Sequence, residues 1–419
     1  MAELAVWLGG RHVANLREVR GAMTLLHTAE ARPLGAPRLS MSMPVSRLRY
    51  RDNQARPFIQ GLLPEGEARR MIAYDLGLSE ADDFGLIEAL GKDCAGALVV
   101  QPVTDDPPPA SAPAGLEVLD DVAVADRLRA LPTNPLGVDG MIRVSLPGMQ
   151  PKLLLARDRA GQWALPLGGA VSTHILKPRH PHLPDAVANE ALCMRIAHHS
   201  GVASATTDIA VFDGIETLVS TRFDRRVNTD GGVTRVHQED ACQALSILTR
   251  HPQMKYEGTG GPTLASIAGL LDQWADPGAV DDLVVQVAFN AIVGNADYHG
   301  KNVSFVLGDD AVRLAPLYDA MSTVCYDGLN TFAKVDQSLG LRVAGKRDIN
   351  EVRMHDIVLE AEGWGLPRKR SVPILERLLE RLPEAVTTAA DELSRTPAAL
   401  VRGLRARVQV ARDELGAGA

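Results

Sequence analysis

Asp297, Asn302 and Asp319 form a set of oxygen donors of the kind that phosphoryl transfer uses. They stand in Asn295-Ala296-Asp297-Tyr298-His299-Gly300-Lys301-Asn302 and, past a short predicted strand, in Leu314-Ala315-Pro316-Leu317-Tyr318-Asp319. In kinase-like enzymes one Asp orients the attacking hydroxyl and takes its proton, while an Asn and a later Asp hold magnesium against the transferring phosphate. Asp297, the Asn five positions on and the Asp 17 residues beyond it follow that order. The first loop alone also has the composition of a capped turn, because turns use Asn, Asp and Gly. Asp319 at a strand end is what favours chemistry.

Two further segments could serve a nucleotide. Arg143-Val144-Ser145-Leu146-Pro147-Gly148-Met149-Gln150-Pro151-Lys152 matches neither a Walker A loop nor a GxGxxG loop. Its Gly148 still permits close backbone approach, and Ser145, Gln150 and Lys152 offer donors to phosphate oxygens, although a hairpin turn fits the same residues. Lys177 ends the predicted strand His174-Ile175-Leu176-Lys177, the place of the lysine that pairs with α- and β-phosphates in kinases. Glu190, on the next predicted helix, is its candidate carboxylate partner. Asp83-Phe84-Gly85 spells the magnesium-binding triplet of kinases but precedes the phosphate loop, so Asp319 takes that role instead. The pairs His180/His182 and His198/His199 have no Cys or carboxylate at zinc-ligand spacing, and Cys242 reads as a packing residue.

These groups need a scaffold, and 419 residues allow two or three domains. The net charge of −8 argues against this chain alone gripping nucleic acid. Four scattered cysteines without a CxxC pair point to reduced thiols in a cytoplasmic protein. Neither an N-terminal signal nor an uninterrupted apolar stretch of about 18 residues is visible, so no membrane span is expected. Alternation in Leu4–Leu8 before Gly9-Gly10 predicts a hairpin, and helices are predicted over 64–76 and 83–90. The Pro-rich stretch 105–113 marks a linker. Strands and turns then dominate to about residue 225, with one helix over 184–199. Helices follow over 281–294, 351–364, 371–391 and 396–414, the first capped by Asp281 or Asp282 and closed by Gly294. The expected class is α+β: a kinase-like two-lobed fold whose β-rich N-terminal half includes an accessory subdomain and whose C-terminal lobe is all-α. Expected divisions are 1–104 (accessory subdomain), 105–137 (Pro-rich linker and connecting segment), 138–237 (ATP-binding lobe) and 238–419 (helical lobe).

Taken together, these motifs resemble the HipA serine/threonine kinase toxins of bacterial type II toxin–antitoxin modules, over nearly the whole chain. The resemblance rests on Gly91-Lys92-Asp93-Cys94-Ala95-Gly96-Ala97, Ser145 to Lys152, Ser172 to Lys177, Arg222-Phe223-Asp224-Arg225, Gln238-Glu239-Asp240 and Asp297 to Asn302 with Tyr318-Asp319. It implies ATP-dependent phosphorylation of a protein serine, with aminoacyl-tRNA synthetases as targets in related toxins and growth arrest or persistence as the outcome. It implies that Asp297 is the base and that Asn302 and Asp319 hold Mg2+. Pro147, Gly148, Met149, Gln150, Pro151 and Lys152 would form the phosphate loop. Lys177, His299, Gly300, Lys301, Asn302, Tyr318 and Asp319 would contact ATP, with Thr221, Arg222 and Phe223 as the hinge beside adenine. Ser145 would be the autophosphorylated serine. The implied partner is a HipB-like helix-turn-helix antitoxin, through which operator DNA would be reached indirectly. Relatives often carry an acid where Thr221 stands, and Pro147 and Pro151 stiffen the loop. The alternatives are a small-molecule phosphotransferase on the same scaffold, or a catalytically silent corepressor that docks an antitoxin. The Pro-rich linker and first domain favour a protein-directed toxin over the former, and retention of Lys177, Asp297, Asn302 and Asp319 argues against the latter.

Overall fold

The computed structural model describes residues 2–34, 39–108, 115–135, 146–148, 150–180, 182–229, 231–308, 311–326 and 335–417. The expected hairpin forms at the start: β1 (Ala2–Leu8) and β2 (Arg11–Val19) turn on Gly9 and Gly10, both at positive φ. With β3 (Ala22–His27), β4 (Arg49–Tyr50) and β5 (Leu98–Pro102) they make an antiparallel sheet in the order β4-β3-β2-β1-β5. Three helices pack with it: α1 (Asp52–Leu62), α2 (Gly66–Asp75) and α3 (Asp83–Leu90). Asp83, the first residue of the kinase-like triplet, is structural. Its buried carboxylate accepts from Arg56 at 2.7 Å, Arg69 at 2.5 Å and Gln60 at 3.0 Å.

The segment read as a linker contains more than a linker. Its residues form β6 (Leu116–Val118) and α4 (Asp121–Ala130), capped by Asp120. Strand β6 pairs with β8 (Trp163–Pro166) and extends a sheet with β7 (Leu153–Arg157), β9 (His174–Pro178), β10 (Thr207–Phe212) and β11 (Ile215–Thr221), in the order β10-β11-β9-β7-β8-β6. Short periodicity hid these elements: three residues of strand and ten of helix beside seven prolines and alanines give little pattern to read. Helix α5 (Ala186–His199) packs against β10 and β11, and a small hairpin, β12 (Arg225–Val227) with β13 (Val233–Arg235), follows.

The C-terminal lobe is built on α6 (Ala241–Ala244), α7 (Leu264–Trp274), α8 (Ala279–Val293), α9 (Met354–Gly363), α10 (Arg368–Glu392) and α11 (Ala398–Ala417). Gly278, rather than Asp281 or Asp282, caps α8, and the two acids sit in its first turn, where they complement the helix dipole. Gly294 closes the helix at φ 76°. Two small sheets supplement the helices: β14 (Gln238–Asp240), β15 (Ser304–Leu307) and β16 (Val312–Leu314), then β17 (Ser338–Val343) with β18 (Lys346–Asp348). No helix among the described residues is long and apolar enough to cross a membrane.

One apolar core runs from the first sheet and its helices into the second sheet, joining Leu16, Phe58 and Ile87 to Leu154, Leu176 and Val219. Charges reinforce that junction. Arg225 donates to Asp93 Oδ1 at 2.9 Å and to the Cys94 and Gly96 carbonyls at 2.8 Å. Arg222 bonds Asp224 at 2.8 and 2.9 Å, Ser172 Oγ at 2.8 Å and the Cys94 carbonyl at 3.0 Å. Asp93 in turn accepts from Ser172 Oγ at 2.6 Å. Burial opposes ionisation of Asp93 and Asp224, yet the arginines hold both below the usual carboxylate range. Asp93→Ala would strand buried guanidinium charge, a change worth about 3–5 kcal/mol. It should therefore lower the guanidinium unfolding midpoint markedly, and an unchanged midpoint would show that the network adds nothing to stability.

Candidate active site

Between the sheet-bearing half and the helical lobe lies a cleft of about 540 Å³. Its upper wall carries the loop 147–152 and Lys177, its back Thr221 and Phe223, and its floor Asp297, His299, Asn302, Tyr318 and Asp319. The pleat places Lys177 here: β9 pairs with β7 and β11, and Lys177 Nζ reaches Glu190 Oε1 on α5 at 2.7 Å. The same Nζ also donates to Asp319 Oδ1. Burial would lower the Lys177 ammonium, but Asp319 and Glu190 outweigh it and hold it above the ordinary lysine range. Asp319 is correspondingly held low, Lys177 overcoming the cost of burial. Its backbone sits at φ 59°, in the left-handed region. That costs a non-glycine residue about 1–3 kcal/mol and persists only where its surroundings over-determine it.

The floor loop is fixed from several sides. Asn302 Nδ2 donates to the Asp297 carbonyl at 3.0 Å, which orients the amide and leaves its oxygen as the acceptor available to a cation. Asp297 Oδ1 accepts from the Tyr256 hydroxyl at 2.8 Å, and Oδ2 lies 4.0 Å from His299 Nε2. The walls of the cleft raise the Asp297 carboxyl, with Lys255 and Tyr256 opposing them. Burial and nearby Lys255 keep His299 well below its ordinary value, so its ring is neutral. Tyr318 donates from its hydroxyl to the Lys301 carbonyl at 2.7 Å and stacks on Phe223 with ring centroids 5.4 Å apart, forming a flat apolar wall.

Several predicted residues turn their side chains to partners within the protein. Arg222 borders the cleft, and its guanidinium is committed to the buried network with Asp224 and Ser172. Lys301 also lines the cleft, with its ammonium 2.7 Å from Asp240 and 3.6 Å from Glu65. Gly300 lies behind the loop, donating to the Lys255 carbonyl at 3.0 Å. A Cβ there would come within 2.5 Å of Pro262 and 2.9 Å of Cys242, so only glycine fits. Ser145 and Met149 lie outside the described residues. Sequence reasoning missed Glu65, Lys255 and Tyr256, which reach the floor from distant segments and carry no recognisable spacing.

Lys152 folds back on Pro147. Lys152 Nζ donates to the Pro147 carbonyl at 2.7 Å, and Gly148, at φ 113°, leaves it room, since a Cβ there would lie 2.4 Å from that nitrogen. Burial, and then Lys177, push the Lys152 ammonium down to about 8.

A two-lobed fold with these groups facing one interlobe cleft is that of a kinase-like phosphotransferase. The HipA N-terminal domain family matches residues 4–101, and the HipA-like C-terminal domain family matches residues 144–386. The chain is 37% identical to the putative kinase Y4mE of Sinorhizobium fredii over 366 residues, 85% of this chain and 82% of that protein. It is 31% identical to the serine/threonine-protein kinase toxin HipA of Shewanella oneidensis over 346 residues, 80% of this chain and 77% of the relative. Its fold superposes on HipA in the Shewanella oneidensis complex of HipA, HipB and operator DNA with a TM-score of 0.84 at 28% identity, covering 99% of this chain and 98% of that one. The chain belongs to the HipA family of serine/threonine-protein kinase toxins.

Lys152 offers a direct check on the cleft's electrostatics. With its ammonium pushed down to about 8, Lys152 should be far more nucleophilic near that pH than a lysine of ordinary pKa. A small amine-acylating reagent followed by peptide mass spectrometry should label Lys152 ahead of Lys346 and Lys369. Labelling should rise as pH passes through 8 and fall when nucleotide is added.

Proposed function

We propose that this chain uses ATP and Mg2+ to phosphorylate a serine or threonine of a protein concerned with translation, such as an aminoacyl-tRNA synthetase, and so arrests growth or produces persistence. The observation that carries this reading is the three-way contact of Lys177 with Glu190 and Asp319, set above Asp297 and Asn302. Lys177 holds phosphate oxygens and is itself kept in place by Glu190. Pro147, Gly148, Gln150 and Lys152 enclose the phosphates, and Phe223 and Tyr318 flank the base at the hinge of Thr221. Asp319 and the Asn302 amide are hard oxygen donors, the set that magnesium shares with phosphates, so the donors present fit that ion. When bound there it would neutralise charge on the transferring group. The substrate hydroxyl attacks the γ-phosphorus, the bond to the β-phosphate oxygen breaks, ADP leaves, and the hydroxyl proton passes to Asp297.

The partner in this reading is a HipB-like helix-turn-helix antitoxin, supported by the relative whose solved complex contains HipB and operator DNA. Contact with operator DNA would run through that antitoxin, in keeping with a net charge of −8. The division into an accessory domain to residue 104, a connecting segment to 137, an ATP-binding lobe to 237 and a helical lobe beyond is part of the same reading. The cytoplasm is its place. Autophosphorylation at Ser145 would add about −1.5 to −2 charge beside the triphosphate and switch the kinase off.

Asp297→Asn should lower transfer of label from radioactive ATP by about 10²–10⁴-fold, the usual worth of a positioned base. Label incorporated at the wild-type rate would remove Asp297 from that role. Incubation with Mg2+ and ATP should place phosphate on Ser145. Phosphopeptide maps unchanged by Ser145→Ala would end the autoregulation proposal.

A further inference from the structure

The 3-10 turns at Pro252–Lys255 and Glu257–Thr259, with Tyr256 between them, hold no role in the chemistry above, yet they press directly on the base. Tyr256 donates its hydroxyl to Asp297 Oδ1 at 2.8 Å, and its ring meets the His299 ring edge-on with centroids 5.1 Å apart. The Lys255 carbonyl receives the Gly300 amide at 3.0 Å, so the same turn also grips the backbone of the floor loop. Lys255 is 4% exposed and borders the cleft. Its ammonium stands 3.9 Å from Glu65 Oε2 and 5.5 Å from the centroid of the Tyr256 ring. Glu65, the residue that precedes α2 in the N-terminal domain, is 6% exposed. Neither of its oxygens has a hydrogen-bond partner among the described residues. It stands between two lysines, Lys255 and Lys301 at 3.6 Å, as their shared counter-charge.

A carboxylate base works only if one oxygen faces the hydroxyl it deprotonates, and rotation of the side chain would spoil that aim. A hydrogen bond to the other oxygen removes the rotation. We propose that Tyr256 is a positioning residue for Asp297: its hydroxyl clamps Oδ1 so that Oδ2 meets the substrate hydroxyl, while Lys255, braced by Glu65 from the N-terminal domain, holds the turn that carries Tyr256 against the floor loop. This rests on Asp297 being the base. The groups facing Asp297 are Lys255 and Tyr256 from the 3-10 turns, Glu65 from the N-terminal domain, and Asp319 and His299 from the floor; Asp336 faces Tyr256.

The test uses the full chain, with radioactive ATP and label incorporation into protein as the readout. Tyr256→Phe should lower kcat by about 10- to 100-fold, the scale of a misaimed reacting group, with KM for ATP unchanged. A Tyr256→Phe enzyme as fast as wild type or faster would mean that the hydroxyl does not aim the base, and would overturn the proposal. So would a rise in KM for ATP with kcat preserved. Tyr256→Phe removes a single oxygen and keeps the ring that packs on His299. Asp297→Asn runs alongside. Activity retained there defeats the base assignment itself, whereas activity lost there beside wild-type behaviour of Tyr256→Phe defeats the positioning proposal alone.

Discussion

Arg222 and Arg225 have side chains only 1% exposed, and a guanidinium at that depth must find carboxylates and carbonyls or be expelled. The partners come from two places. Asp224 lies between them in sequence, while Asp93 and the carbonyls of Cys94 and Gly96 belong to the N-terminal domain. Satisfying the arginines therefore joins that domain to the strand edge where the interlobe cleft begins. Gly96 shows how close the join is: its amide donates to Asp224 at 2.7 Å, and a Cβ on it would sit 2.9 Å from the Gln238 backbone.

This junction also shapes the cleft. Residues 222–224 form the turn between β11 and β12, with Arg222 and Asp224 buried and Phe223 reaching the cleft, where it stacks on Tyr318. The polar network behind that turn thus fixes the apolar wall in front. A second join acts lower down: Glu239, beside the cleft floor, accepts from Ser40 Oγ at 2.6 Å and the Met41 amide at 2.7 Å. With Glu65 reaching toward Lys255 and Lys301, the N-terminal domain touches the helical lobe as well as the sheet. It is part of the frame of the site, which the term accessory understates.

The long helices, the opening hairpin and the gathering of the cleft residues were legible in the sequence because each rests on local signal: apolar period, a Gly-Gly turn, or a spaced set of oxygen donors. Lys177 and Glu190 were legible as a pair because one strand and one helix carry them. What stayed hidden depends on distant convergence. Tyr256 is an ordinary tyrosine until the fold brings its hydroxyl 41 residues along the chain to Asp297. Arg222 reads in sequence as part of the hinge and Lys301 as a nucleotide contact, and only the fold reveals the buried carboxylates, Asp224 and Asp240, that their side chains meet. The helix and strand at 116–130 were too short, and too close to prolines, to announce themselves.

The lysines of the cleft differ in how completely they are neutralised, and that difference orders their roles. Lys301 is matched by Asp240 and Glu65 at the cleft margin. Lys152 has, among the described residues, only a carbonyl as its hydrogen-bond partner and stands near Lys177, so on the proposed function an arriving phosphate would relieve it most. Lys177 lies between these cases, because it bridges Glu190 and Asp319. On the proposed function a cation at Asp319 would compete with Lys177 for the same carboxylate. Were Asp319 its sole partner, the lysine would then lose its anchor. Glu190, held on a buried helix, would keep Lys177 at the cleft while Asp319 changed partner, so the two carboxylates are unequal: one is buried with the lysine and the other is open to the cleft.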